Sequence, residues 1–219
     1  MKVNTDGVLL GVLVDVEKPS RILDIGTGTG VVALILAQRF PSADIIAVDI
    51  DEGAAIAAAN NFNGSVFKAR LETFHTSFSG YFERDKLEKF DLIVSNPPFF
   101  IDSLQSADEL KSLARHTDQL FFESLLSDSA CNLQATGSLA VIIPLRLSAL
   151  LQKLAMDAGL NLQKRISVCS FADSVPHREI LVFGSGVNET EVTKFVIYAG
   201  QKEYSLEYRA LLKDFLTIF

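Results

Sequence analysis

The 219-residue chain predicts an α/β fold: a doubly wound, mostly parallel sheet of the seven-stranded type with an antiparallel hairpin at one edge. Three observations predict it. Strand-like and helix-like segments alternate from Arg21 onward, and each strand–helix–strand unit implies a right-handed crossover with helices on both faces. The run Phe90–Ser95 is almost continuously apolar, as a strand buried on both faces requires. The first strand-like run leads through a glycine-rich turn straight into a helix.

Taken in order, Arg21–Ile25 is a short strand, followed by a helix from Gly30 to Phe40 that Pro41 ends. The β-branched run Ile45–Ile50 is the second strand. The alanine-rich segment Glu52–Phe62 is a helix stopped at Asn63-Gly64, and Val66–Ala69 is expected as the third strand. Phe90–Ser95 is the fourth strand, and Asp108–Leu133 reads as one long helix or two. Gly137–Ile143 is the fifth strand, closed by Pro144, with a helix over Leu147–Ala158. Leu162–Phe171 and Glu179–Gly184 are expected to pair as the edge hairpin. Thr193–Tyr198 and Ser205–Phe215 add a C-terminal strand and helix. No repeat or linker divides residues 1–219, so one domain is expected.

Composition narrows the function. With 48% hydrophobic and 21% charged residues, disordered and low-complexity classes are excluded. Cys131 and Cys169 stand far apart with no histidine at ligand spacing, which speaks against a metal site or disulfide framework and fits a reducing cytoplasm. The apolar stretch Val8–Val14 falls short of a signal peptide, since Asp6 and Asp15 interrupt and close it, and no run approaches the roughly 20 residues of a membrane span. The net charge is −7, with both halves acidic, which weighs against a nucleic-acid partner. Residues 141–185 are the exception, where Arg146, Lys153, Lys164, Arg165 and Arg178 outnumber three acids.

In a doubly wound sheet, ligands sit outside the carboxyl ends of the central strands. There the chain reads Leu23-Asp24-Ile25-Gly26-Thr27-Gly28-Thr29-Gly30, and the second strand ends on Asp49 with Asp51 two residues on. Glycines at alternate positions permit a tight turn and close backbone approach to a ligand. A carboxylate at Asp49 can accept from both hydroxyls of a ribose. A dinucleotide fingerprint would need its third glycine where Val31 stands, which disfavours a nicotinamide oxidoreductase. The G-x-G-x-G spacing after Asp24 instead resembles the first motif of class I S-adenosyl-L-methionine (SAM) methyltransferases. Asp24 is a candidate cofactor residue or, alternatively, a structural cap.

The fourth strand ends Ser95-Asn96-Pro97-Pro98-Phe99-Phe100. Two prolines stiffen this loop. The Asn96 side-chain oxygen and the Pro97 carbonyl can accept the two N–H protons of an exocyclic amine. That turns the nitrogen toward tetrahedral geometry and frees its lone pair for attack on a methyl group. Pro98 and the Phe99 ring can hold and stack on the planar target. Without that context, Asn-Pro-Pro would be a strand-terminating turn.

Together with the opening Met1-Lys2-Val3-Asn4-Thr5-Asp6-Gly7-Val8-Leu9-Leu10, the segments Ile22–Gly30 and Phe90–Phe99 resemble the bacterial tRNA1(Val) (adenine(37)-N6)-methyltransferases. The likeness continues through Pro176-His177-Arg178 into the C-terminal strand and helix. It implies a Rossmann-like SAM methyltransferase that modifies N6 of adenine 37 in the anticodon region of a tRNA. It implies Thr5 and Asp6 as closing the cofactor pocket, Gly26, Gly28, Asp49 and Asn96 as cofactor contacts, and Asn96 as the catalytic group. The residues' own chemistry adds Asp24 and Gly30 on the cofactor side, Pro97 and Phe99 to the catalytic groups, and Pro98, Phe99 and Arg178 as substrate contacts. Thr5-Asp6-Gly7 also reads as a helix N-cap. No metal or membrane is implied, and a cytoplasmic monomer is expected. By alignment, the position where relatives place an acid for the cofactor adenine falls on Arg70, with Glu72 two residues on. Phe99 replaces a more usual tyrosine. Methylation of guanine N2 or of protein glutamine N5 uses the same loop logic, although glutamine methylases carry an added N-terminal helical domain. A binding module that has lost catalysis is disfavoured by the intact Asn96. Arg146, Lys164, Arg165 and Arg178 are expected to form the RNA surface.

Overall fold

A computed structural model describes residues 5–84, 88–97 and 108–216, with 108–118 described as helical backbone only. Helix α1 (Thr5–Leu13) precedes β1 (Arg21–Ile25), α2 (Val31–Arg39), β2 (Asp44–Asp49) and α3 (Glu52–Asn63). Then come β3 (Leu71–His75), α4 (Phe78–Phe82), β4 (Phe90–Ser95), α5 (Asp108–Asn132) and β5 (Leu133–Pro144). The chain continues through α6 (Ser148–Asp157), β6 (Asn161–Cys169), β7 (Arg178–Gly184) and β8 (Glu191–Val196). It ends with β9 (Tyr198–Gly200), β10 (Glu203–Tyr204) and α7 (Leu206–Leu212).

Eight strands form one sheet in the order β3-β2-β1-β4-β5-β7-β6-β8, and β9 and β10 form a separate hairpin. The five strands from β3 to β5 run parallel, β7 is antiparallel to both its neighbours, and β8 runs parallel to β6. Strand alternation sorts side chains to two apolar layers. Ile22, Ile45, Leu92 and Ala140 pack with α1, α2, α3 and α7, while Leu23, Ile46, Ile93 and Leu139 pack with α4, α5 and α6.

Two expectations are corrected. The third strand is Leu71–His75 rather than Val66–Ala69: Lys68–Arg70 form a 3-10 turn and Val66 is exposed. As an outer strand with one buried residue in five, β3 lacks the continuous apolar signal of its neighbours. The β6–β7 hairpin is also not the edge, because β8 pairs along β6 from Lys164↔Glu191 to Cys169↔Val196.

The registers bring the carboxyl ends of β1, β2, β3, β4, β5, β6 and β8, and the start of β7, to one side of the sheet. This is the carboxyl edge, where the glycine turn and Asn96 lie. Among the described residues, no helix is long and apolar enough to cross a membrane.

Candidate active site

The turn after β1 is built across the end of β2. The N–H groups of Gly26 and Thr27 donate to the Val48 carbonyl, at 2.9 and 3.2 Å. The Asp49 carboxylate accepts from Gly28 N (2.9 Å) through one oxygen and from Asp51 N (2.9 Å) through the other. A carboxylate offers about four lone-pair sites, so this one retains acceptor capacity. Asp51 is occupied as the N-cap of α3, accepting from Ala54 N at 2.7 Å.

Two of the glycines serve different ends. Gly26 has φ +70°, and among the described residues a Cβ there would meet nothing within 4 Å, which leaves room on that side for a ligand. Gly30, at φ +81°, faces Phe62 of α3. A Cβ would overlap Phe62 Cε1 and lie 2.9 Å from Cζ, so close packing and the left-handed backbone together favour glycine. Asn61 secures the turn by donating from Nδ2 to the Thr29 carbonyl at 2.9 Å.

Asp24 lies beneath the turn, 1% exposed, and accepts from the Thr27 hydroxyl at 2.6 Å. Burial pushes its carboxyl up to about 7, against the lowering effect of hydrogen bonds from Thr27 and the Ala33 N–H, and the Asp49 charge adds to the rise. The Thr27 bond ties Asp24 to the glycine turn, while the N-cap position of α2, Gly30, has no side-chain capping bond.

Asn96 is half-buried and Pro97 buried, directly beyond β4. The fully buried Ser95 donates its hydroxyl to the Ile25 carbonyl at 3.0 Å, and Ser95 is in register with Ile25. That bond sets Asn96 beside Gly26, one residue past the paired strand ends. Pro98 and Phe99 lie outside the described residues.

At the far side, Arg178 Nε donates to Asp6 Oδ2 at 2.8 Å. Asp6, expected against the cofactor, and Arg178, expected against the substrate, thus bind each other, tying the start of α1 to the start of β7. Thr5 is exposed at the first residue of the helix. At the other end of α1, Arg39 donates to the carbonyls of Gly11 and Val14. Neighbouring His177 has its pKa lowered by burial and by the Arg178 charge, with Asp6 partly opposing.

The expected RNA surface is not a single patch. Arg146 is exposed beyond β5 at the carboxyl edge, close to Arg178, which pairs with Pro144. Lys164 lies nearer the opposite edge, ion-paired to Glu191 at 2.9 Å, and Arg165 donates to Gln152 Oε1 at 2.9 Å. Arg70 and Glu72 are also displaced from the cofactor side. Arg70 precedes β3 and donates to the carbonyls of Ala37, Phe40 and Ala43, at the amino edge. The residues that follow the carboxyl end of β3 are Thr76 and Ser77. Thr76 N–H donates to the Asp49 carbonyl at 2.9 Å.

Sequence reading missed the Ser95 bond, the Thr27–Asp24 bond and the Asp6–Arg178 pair. Of these, only the close Asp24/Thr27 spacing offered a local signal.

Comparison with known proteins places this geometry. Residues 5–156 match the family model described as "Methyltransferase small domain". A protein of Pedobacter heparinus named tRNA1(Val) (adenine(37)-N6)-methyltransferase is 40% identical over 219 residues, covering 100% of this chain and 92% of its own. One of the same name from Flavobacterium johnsoniae is 41% identical over 217 residues, covering 98% of this chain and 92% of its own. Among solved structures, an Agrobacterium tumefaciens protein described as a predicted O-methyltransferase superimposes with a TM-score of 0.71 at 17% identity, covering 95% of this chain and 96% of its own, a likeness of fold. Near-complete coverage at 40% identity, on a site whose glycine turn, Asp49 and Asn96 converge at one edge, decides the assignment: this chain belongs to the tRNA1(Val) (adenine(37)-N6)-methyltransferase family.

Proposed function

We propose that this protein methylates N6 of adenine 37 in the anticodon region of tRNA1(Val), as a cytoplasmic monomer whose 219 residues act as one domain. The carrying observation is Asn96 held beside the glycine turn by the Ser95–Ile25 bond. The relatives' names supply the substrate.

The cofactor is S-adenosylmethionine, and the residues present fit it. The open side of Gly26 leaves room for its methionine portion, and Asp49 has lone pairs remaining for ribose hydroxyls. Gly26, Gly28 and Asp49 would hold it. Asp24 and Gly30 would fix the turn, and Thr5 and Asp6 on α1 would cover the pocket. When bound, it supplies an electrophilic methyl on a sulfonium centre.

The chain's own work is orientation. The Asn96 oxygen and Pro97 carbonyl accept the two amine protons, so the adenine lone pair points at the methyl carbon. With the cofactor held by Gly26, Gly28 and Asp49, transfer would form the C–N bond at the expense of the carbon–sulfur bond, the sulfur keeping that electron pair. The nitrogen, acidic once methylated, then loses a proton to water. No strong base is needed. Aligned near-attack geometry can supply roughly 7–11 kcal/mol of the barrier reduction. Pro98 and Phe99 would hold the base from its flank, stacking being worth ~1–3 kcal/mol.

The test is incubation of the protein with radiolabelled SAM and total tRNA from a strain lacking the modification, followed by nucleoside mass spectrometry. N6-methyladenosine at position 37 of valine tRNA is expected. Label in another nucleoside, or none in tRNA, overturns the proposal.

A further inference from the structure

Four aromatic rings form one continuous stack from the core to the carboxyl edge. Tyr208 is buried against Phe195 and lies parallel to Tyr204, with centroids 4.8 Å apart at 8°. Tyr204 stacks on Tyr198 at 5.2 Å and 22°, and Tyr198 meets Phe171 at 5.7 Å. Phe171 is the outermost ring, 37% exposed, in the loop joining β6 to β7, and Val175 in the same loop is 76% exposed.

The loop is held by its own bonds. Phe171 N–H donates to Ser174 Oγ (2.9 Å), and the Ser174 hydroxyl donates back to the Phe171 carbonyl (2.8 Å). The Lys194 ammonium donates to the Ala172 carbonyl. The fold therefore presents an aromatic ring and an aliphatic side chain to solvent on one supported loop. Lys194, which donates to the Ala172 carbonyl, and Arg178, whose Nε is ion-paired to Asp6, flank the loop, and Asp173 is its only acid. The loop follows the carboxyl end of β6, three strands from β4 in the sheet, so roughly 14 Å from Asn96 at about 4.8 Å per strand.

We infer that the Phe171–Val175 loop docks the RNA substrate, with Phe171 as the stacking platform for an unpaired base flanking the one that Asn96 orients. This rests on the tRNA reading above. Unpaired bases of an RNA loop are recognised by stacking on aromatic rings, and flanking cations meet the phosphates. The rings beneath Phe171 hold it in place, so little ordering is left to be done on binding.

The experiment is steady-state methylation at varied tRNA concentration, with SAM affinity measured separately by calorimetry. Phe171→Ala raises KM for tRNA between about 5- and 150-fold, the range that one lost stacking contact implies, while kcat and SAM affinity stay within twofold. Phe171→Tyr restores a KM near that of the unaltered protein. Val175→Glu lies outside the ring stack, so folding is preserved, and it raises KM severalfold. Unchanged KM in both Phe171→Ala and Val175→Glu overturns the inference, as does an equal loss of SAM affinity. If the unaltered protein transfers no methyl to tRNA, the substrate reading itself falls. That failure is distinct, because it shows before any variant is compared.

Discussion

At the amino edge of the sheet, the Asp91 carboxylate accepts from Ser20 N, Ser20 Oγ and Arg21 N at 2.8, 2.7 and 3.0 Å, and Arg70 donates to three carbonyls. At the carboxyl edge, Asp49 accepts two backbone donors and keeps acceptor capacity, while the open space lies at Gly26. Similar side chains thus do different work. At the amino edge they are consumed in stitching loops to strand starts. At the carboxyl edge they shape a turn and leave valence for a ligand. Titration follows the same division. Burial pushes the Asp91 carboxyl up, but its hydrogen bonds from Ser20 and Arg21 outweigh that and bring it below the usual value. Asp24, with burial dominant, goes the other way, to about 7.

The largest expected effect tests that division at Asp24. Its folded pKa lies above its unfolded value, so the folded state binds the extra proton. Stability is highest below about pH 4 as far as this group is concerned, falls as pH rises toward 7, and levels beyond it. The full cost is on the order of 4 kcal/mol. Asp24→Asn removes this slope, so denaturant melts from pH 4 to pH 8 are flatter than those of the unaltered protein. Equal slopes would mean that Asp24 is ionised throughout.

A smaller effect separates the edges directly. Asp91→Ala lowers stability by about 1 kcal/mol, because the part-buried Arg21 N–H and the two exposed Ser20 donors lose a charged acceptor, and leaves SAM affinity unchanged. That loss shrinks in acid, where the native carboxyl is itself protonated. Asp49→Ala does the reverse: SAM binding weakens at least tenfold, about 1.4 kcal/mol, with less effect on melting. Calorimetry and denaturation on both variants would blur the comparison if Asp91→Ala also cost cofactor affinity.

The legible parts of the sequence are those where chemistry or burial dictates residue type. Strands β1 and β4 were read to the residue, since continuous burial leaves a continuous apolar run. The glycine turn and Asn96-Pro97 were visible because a tight strand-to-helix turn, and the amine positioning proposed for Asn96, admit few alternatives. Outer strands were less legible. Strand β3 exposes part of its surface, so its pattern resembles a loop's, and the misplaced strand carried Arg70 and Glu72 to the wrong side of the sheet. β8, mostly exposed, gave no sign that it would cover the hairpin. The Asp6–Arg178 bond joins residues 172 apart, and net charge over a segment cannot reveal that two opposite charges meet. The same limit undid the expected basic patch, whose Lys164 and Arg165 are tied to Glu191 and Gln152.

In the proposed mechanism Asn96 orients the amine while the glycine turn and Asp49 hold the cofactor. Paired measurement of methyl transfer and SAM affinity in Asn96→Ala tests it most directly. The predicted result is turnover on valine tRNA reduced at least about 100-fold, with the SAM dissociation constant within about threefold of the unaltered protein's, well under the tenfold that 1.4 kcal/mol represents. Undiminished turnover, or a loss of turnover matched by an equal loss of cofactor binding, would contradict it.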